Sequence, residues 1–182
     1  MAQNVEIKAQ LIDFNRQFEL AKNLTATPGE RIEQTDVFFR CQSGRLKLRI
    51  FDDDNGELIS YERPDQIGPK TSSYYISRTG EPNALCDVLT RSLGVTIIVK
   101  KTRVLFLSGR TRIHLDQVEG LGAFLELEVV LDAGDCIEKA QQEAKELMAK
   151  LEIDPDWLID RAYADLLSEA AASNSCCQES NF

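Results

Sequence analysis

The chain has 182 residues, 43% of them hydrophobic and 28% charged, a composition typical of one soluble globular domain rather than a disordered chain. Its formal net charge of -9 argues against nucleic acid and anionic membranes as partners, because the field as a whole repels phosphate groups. Its longest apolar runs fall far short of the ~20 residues of a transmembrane helix, so we expect neither a membrane span nor a signal peptide.

Eight short segments alternate polar and apolar residues with period 2, which predicts strands that each expose two different faces. Residues 52–56 and 108–110 are rich in turn formers, and these connections are short enough to close antiparallel hairpins between neighbouring segments. The predicted strands are residues 5–11, 35–39, 45–51, 58–63, 73–77, 97–107, 111–118 and 124–131.

Four segments carry apolar residues at helical spacing. The predicted helices are residues 13–24, 82–93, 137–151 and 157–172. Gly94 is placed to end the second helix, and Asp154 followed by Pro155 is placed to begin the last. We therefore predict a single domain over residues 1–172 and a disordered polar tail over residues 173–182.

The five cysteines are odd in number, lack C-x-x-C spacing and include an adjacent pair near the C-terminus. With only one histidine in the chain, a zinc site or a disulfide framework is improbable. The pattern favours a reducing compartment, and we predict a cytoplasmic protein.

Charged residues share one face on several predicted strands. On the third strand Arg45, Lys47 and Arg49 point one way, and the apolar residues between them point the other. The same parity groups Glu6 with Lys8, Tyr61 with Arg63, Lys101 with Arg103, Arg112 with His114 and Asp116, and Glu126 with Glu128.

Each charged row taken alone is best explained as the solvent face of a half-buried sheet. Taken together, the rows are sorted into basic and acidic strands, which favours a closed barrel with a charged lumen and its apolar faces turned outward beneath the helices. Lys and Arg in such a lumen match a polyphosphate, and carboxylates collect a divalent cation such as Mg²⁺ or Mn²⁺.

An ordered set of motifs over about residues 1–168 resembles the CYTH domain, the triphosphate tunnel metalloenzyme superfamily, and within it the class IV adenylate cyclase branch. The motifs are VEIK from Val5, QTDVFF from Gln34, GRLKLR from Gly44, YER from Tyr61, KTR from Lys101, and Asp116 followed by GLG from Gly120 and FLELE from Phe124. The resemblance implies an α+β fold, with a closed eight-stranded antiparallel β-barrel as the triphosphate tunnel and flanking helices.

The resemblance also assigns roles to residues at matching positions. Asn4 stands where the family signature has its first Glu, so this strand supplies one carboxylate fewer. His114 is a secondary candidate, since a lone histidine on a strand is more often structural. The resemblance implies phosphate contacts by Lys8, Lys47, Arg49, Arg63, Lys101 and Arg103, metal contacts by Glu6, Asp116, Glu126 and Glu128, and catalysis by Lys8, Arg103 and Glu126.

The predicted function is a metal-dependent enzyme that binds a triphosphate-containing small molecule, with Mg²⁺ or Mn²⁺ as cofactor. Hydrolysis of the terminal phosphoryl group and cyclisation of a nucleoside triphosphate both remain open, since the sequence contains no separate nucleobase motif. The alternative is a non-catalytic triphosphate or nucleotide sensor, which Asn4 favours because it removes a metal-binding carboxylate. The sequence is compatible with a homodimer and does not specify the oligomeric state.

Overall fold

A computed structural model describes residues 2–176, with side chains to residue 172, and its eight strands close into one antiparallel barrel. The strands are β1 (Ala2–Gln10), β2 (Glu30–Phe39), β3 (Arg45–Asp52), β4 (Asn55–Glu62), β5 (Lys70–Thr79), β6 (Val95–Ser108), β7 (Thr111–Val118) and β8 (Gly122–Leu131). Around the barrel they follow the order β1-β5-β4-β3-β2-β6-β7-β8. The predicted closed barrel is confirmed.

Four helices flank the barrel, and they are α1 (Phe14–Thr25), α2 (Pro82–Leu93), α3 (Ile137–Lys150) and α4 (Tyr163–Cys176). Asp13 caps α1 by accepting a hydrogen bond from the backbone N–H of Arg16. Gly94 ends α2 with a positive φ of 76°, as its place in the sequence predicts. The α+β class is therefore observed.

The main apolar core lies outside the barrel, between its wall and the helices. In the register of β1 with β8, Val5 lies opposite Val129 and Ile7 opposite Leu127, and all four side chains are buried. They pack in one cluster with Ala140 and other apolar residues of α3. Because side chains alternate along a strand, this outward apolar face directs the charged residues between them into the lumen.

The start of the last helix differs from the prediction. Asp154 forms the predicted cap, but Pro155–Trp157 is only a 3-10 turn and α4 begins at Tyr163. The chain between them pairs with β1 instead, because the N–H of Ile159 donates to the carbonyl of Lys8 and Leu158 bridges Ala9. These tertiary contacts keep residues 158–160 out of the helix that local spacing predicts there.

The C-terminal prediction overlaps the end of α4. Residues 173–176 continue that helix, and residues 177–182 lie outside the described part of the chain, so the polar tail stays a prediction. No helix within residues 2–176 is long and apolar enough to cross a membrane.

Candidate active site

A cavity of about 130 Å³ lies in the barrel lumen. The charged rows of the sequence meet there, because their strands share the same inward parity. Its charged lining comprises Glu6, Lys8, Asp36, Lys47, Arg49, Arg63, Lys101, Arg103, Arg112, Glu126 and Glu128. The structure therefore brings all six predicted phosphate contacts and three of the four predicted metal contacts to one site.

Asp36 of β2 organises one basic wall of the cavity. Its carboxylate accepts hydrogen bonds from Lys47 Nζ at 2.8 Å and from Arg49 Nε at 2.9 Å. Burial alone would raise the pKa of Asp36, but the Arg49 and Lys47 cations outweigh burial and hold it well below its ordinary value. Burial and the Arg49 charge lower the pKa of Lys47 to about 8.

Sequence reasoning missed Asp36 as a site residue. The signal was present, since Asp36 alternates with the apolar residues Val37 and Phe39 and so faces the lumen. A single carboxylate on a strand of mixed composition does not distinguish an inward from an outward face. The pairing of β2 with β3, which sets Asp36 opposite Arg49, supplies the missing information.

Asp116 of β7 lies behind the cavity wall and does not line the cavity. It is fully buried and accepts hydrogen bonds from Arg103 Nε at 2.6 Å, Lys101 Nζ at 2.8 Å and the Tyr163 hydroxyl at 3.1 Å. Both carboxylate oxygens are thus engaged by protein donors. Its assignment as a metal ligand stays a prediction, and its observed contacts hold Arg103 and Lys101 in place.

Glu126 and Glu128 of β8 form the acidic wall. Glu126 accepts from Arg103 Nη2 at 2.6 Å and pairs with Lys8 Nζ at 3.0 Å. Burial would raise the pKa of Glu126, but Lys8 and Lys101 hold it well below its ordinary value. Burial would raise the pKa of Glu128 as well, but His114 and Arg103 hold it below its ordinary value, which favours the charged form of both carboxylates.

Glu6 of β1 sits in a different electrostatic environment. Its carboxylate accepts from Arg63 Nη1 at 2.7 Å. Burial raises the pKa of Glu6 above its ordinary value, because the Arg63 charge only partly offsets the loss of solvent. A divalent cation bound nearby would favour the charged form of this group.

The start of α4 and the residue before it line one side of the lumen. Tyr163 lines the cavity, and its ring centroid lies 3.8 Å from Lys8 Nζ. Lys70 of β5 is fully buried and donates to the backbone carbonyls of Ile159 and Asp160 at 3.4 and 3.1 Å. Tyr163 falls within the predicted last helix, residues 157–172, and only its tertiary placement reveals the contact with the site.

Arg45 departs from the row that it shares with Lys47 and Arg49. Its guanidinium is not part of the cavity lining and donates to Asp165 at 2.7 Å. Burial would lower the pKa of Arg45, but nearby anionic groups including Asp165 raise it above its ordinary value. This residue therefore ties β3 to α4 at the edge of the site.

The residues present fit a divalent cation. Asn4 Oδ1 and His114 Nδ1 are buried and have no hydrogen-bond partner within the described chain, although buried polar atoms are normally paired. One ligand atom each from His114, Glu126 and Glu128 lie within 4.8 Å of one another. Carboxylate oxygens with an imidazole nitrogen form a donor set that binds divalent metal ions.

A family model described as the CYTH domain matches residues 2–163, which span all eight strands. A curated protein of Methanocaldococcus jannaschii, named as a candidate adenylate cyclase, is 28% identical over 171 residues, which cover 89% of this chain and 97% of the relative.

Two solved structures show the same fold. A protein of Pyrococcus horikoshii superposes with a TM-score of 0.78 at 19% identity and covers 90% of this chain and 98% of its own. A Hippeastrum protein, described as a candidate adenylyl cyclase with a dominant triphosphatase activity, superposes with a TM-score of 0.58 at 15% identity. That match covers 93% of this chain and 96% of the Hippeastrum chain.

Proposed function

We propose, from the premise that this chain belongs to the CYTH domain family, that it is a metal-dependent enzyme that hydrolyses a triphosphate bound in the barrel lumen. The observation that carries the proposal is the meeting of a basic wall and an acidic wall in one buried cavity. The dominant triphosphatase activity named for the Hippeastrum structure, which shares the fold, is consistent with it.

The charge balance of the lumen explains why a triphosphate and a cation would bind together. The cavity is lined by seven cationic side chains, Lys8, Lys47, Arg49, Arg63, Lys101, Arg103 and Arg112, and by four carboxylates, Glu6, Asp36, Glu126 and Glu128, with Asp116 behind its wall. Because the carboxylates offset most of this cationic charge, a triphosphate alone would bring unmatched negative charges into a buried site. A divalent cation on the acidic wall would offset part of that charge.

The basic residues are preorganised for phosphate. Asp36 fixes Lys47 and Arg49, and Asp116 fixes Lys101 and Arg103, so little side-chain ordering remains when an anion enters. Their N–H groups would bind the phosphate oxygens and stabilise the charge that spreads over the transferring phosphoryl group as water attacks.

Lys8, Arg103 and Glu126 form the proposed catalytic group. Glu126 lies between Lys8 Nζ and Arg103 Nη2, so its carboxylate positions two cationic donors at the same point of the cavity wall. Glu6, Glu126 and Glu128, with Asp116 behind them, are the proposed metal-binding residues. A bound Mg²⁺ or Mn²⁺ would polarise a phosphoryl oxygen and orient the triphosphate.

Cyclisation of a nucleoside triphosphate is the second candidate. An apolar and aromatic strip lines the same cavity and offers room for an organic moiety beside the phosphate-binding residues. The strip consists of Phe38, Ile59, Tyr61, Tyr74 and Ile76. The named relative of Methanocaldococcus jannaschii also favours this reaction, in which the ribose 3′-hydroxyl would displace pyrophosphate.

The deciding experiment incubates the purified chain with ATP, thiamine triphosphate or tripolyphosphate, each with Mg²⁺ or Mn²⁺. Product masses and ³¹P spectra separate released orthophosphate from a cyclic nucleotide with pyrophosphate. Glu126→Gln should lower turnover by ~10- to 100-fold or more, since one charge of the proposed metal site is lost. Glu119→Gln, in the exposed turn after β7, is the matched control and should retain wild-type turnover.

Two results would contradict the proposal. Binding of a triphosphate without turnover in either metal would favour the sensor alternative. Equal turnover with and without the chelator EDTA would exclude the metal dependence.

A further inference from the structure

His114 occupies an unusual position beside the acidic wall. It lies on β7, its side chain is 5% exposed, and its Nδ1 atom has no hydrogen-bond partner in residues 2–172. The same nitrogen lies 3.8 Å from Glu126 Oε2 and 3.8 Å from Glu128 Oε1. Both distances exceed hydrogen-bond length, so Nδ1 faces two carboxylates without a hydrogen bond to either.

The spacing suits a shared ion better than direct contact. Two ligand atoms bound to one cation at ~2.1 Å each lie between ~3.0 and ~4.2 Å apart as their angle opens from a right angle to a straight line. The two 3.8 Å separations fall inside that interval. A cation placed between the three side chains would also satisfy the unpartnered nitrogen.

The arginine contact to the same carboxylate does not block this arrangement. Arg103 Nη2 donates to Glu126 Oε2 at 2.6 Å. A carboxylate oxygen has two lone pairs, so Oε2 can accept a hydrogen bond from Arg103 and bind a cation at the same time.

We infer that His114 is a metal ligand together with Glu126 and Glu128, and that this mixed nitrogen and oxygen set selects a first-row transition ion of the Mn²⁺ type over Mg²⁺. The inference deepens the proposed function and rests on its cation site. Mg²⁺ is a hard ion that takes oxygen ligands, whereas imidazole suits first-row transition ions. A site made of carboxylates alone would show no such preference for nitrogen-binding metals.

The test uses pulsed electron paramagnetic resonance of the tag-free chain with MnCl₂ alone. His114 is the chain's one histidine, so ¹⁴N modulation of an imidazole type on bound Mn²⁺ can come from no other side chain of this protein. We expect that modulation in the wild type and its loss in His114→Asn, which replaces the nitrogen by an amide group of similar reach.

Affinity supplies an independent readout. In calorimetric titrations His114→Asn should weaken Mn²⁺ binding by ~10-fold or more and change Mg²⁺ binding by less than ~3-fold. Gln117→Asn, at an exposed position of the same strand, is the matched control and should bind both metals as the wild type does.

The outcomes separate this inference from the proposed function. Bound Mn²⁺ without nitrogen modulation, or no Mn²⁺ binding at all, overturns the inference even if triphosphate is hydrolysed with Mg²⁺. Nitrogen modulation in a protein that turns over no triphosphate supports the assignment of His114 as a metal ligand and contradicts the proposed enzymatic activity. If His114→Asn does not fold, the wild-type spectrum alone decides.

Discussion

Asp116 shows how one buried carboxylate can position two proposed phosphate contacts. It bonds Lys101, Arg103 and the Tyr163 hydroxyl while itself fully buried. Asp116→Asn would leave two buried cations short of a counter-charge, so we expect a loss of ~3–5 kcal/mol of unfolding free energy at neutral pH. Denaturant unfolding of the variant and the wild type measures the difference.

The same substitution has a defined pH dependence. Burial would raise the pKa of Asp116, but Arg103 and Lys101 hold it well below its ordinary value. A lowered folded-state pKa stabilises the protein above the unfolded-state pKa and loses that effect as pH falls. The difference in unfolding free energy between the wild type and Asp116→Asn should therefore become smaller as pH falls below ~4. A difference in unfolding free energy that stays constant down to pH 2 would contradict the ion pairs of Asp116 with Arg103 and Lys101.

Asn4 tests how much one absent carboxylate matters. Its side chain lines the cavity, and Oδ1 is buried without a partner in the described chain. Asn4→Glu should tighten Mg²⁺ or Mn²⁺ binding and lower the metal concentration needed for turnover several-fold, because it adds a charge to the acidic side. Asn4→Gln has similar bulk and no charge, so it is the matched control; equal metal requirements in both variants would contradict this explanation.

At the scale of elements, the junction between the barrel and α4 rests on a buried cation. Lys70 donates to the carbonyls of Gln66, Ile159 and Asp160, and so ties β5 to the extended segment before the helix. Burial and the Arg63 charge lower the pKa of Lys70 from 10.5 to about 8. Its cation is therefore less favoured in the folded chain than in the unfolded one.

Comparison with Lys70→Met should show how the buried Lys70 cation affects stability at different pH values. Between about pH 8 and 10.5 the unfolded chain binds more protons at Lys70 than the folded chain does, so this group raises stability as pH rises. The wild type should gain unfolding free energy relative to Lys70→Met from pH 8 to 10, as measured by denaturant titration. Lys145→Met, at an exposed position of α3, is the control; a falling difference would contradict the prediction.

At the scale of the whole molecule, ligand binding should stabilise the barrel. A ligand that binds only the folded state at ~100 times its Kd contributes ~2.7 kcal/mol, which corresponds to ~5–11 °C in Tm for a chain of this size. We expect tripolyphosphate with Mn²⁺ to raise Tm by that order, and each component alone to raise it less. If differential scanning calorimetry shows no change in Tm at millimolar tripolyphosphate and Mn²⁺, both the enzyme and the sensor hypotheses are contradicted.

Much of the fold was predictable because the alternation of polar and apolar residues along a strand shows which side chains share a face. In β8 the run from Phe124 places Glu126 and Glu128 on one side and Leu125 and Leu127 on the other, and that parity is intrinsic to an extended chain. The last helix was predicted six residues too early, because capping at Asp154 is local. The hydrogen bonds that keep the next residues out of the helix are tertiary: the N–H of Ile159 donates to the carbonyl of Lys8, and Lys70 donates to the carbonyl of Ile159.

The sequence by itself determined the strands, their charged faces and the family resemblance, since period and residue type are local properties. Tertiary structure alone decided the partners: Asp36 with Lys47 and Arg49, Asp116 behind the wall, and His114 Nδ1 at 3.8 Å from each of two carboxylates. Strand order and register bring together residues far apart in the chain, and the charges of those neighbours then determine which carboxylates hold cations and which remain for a metal.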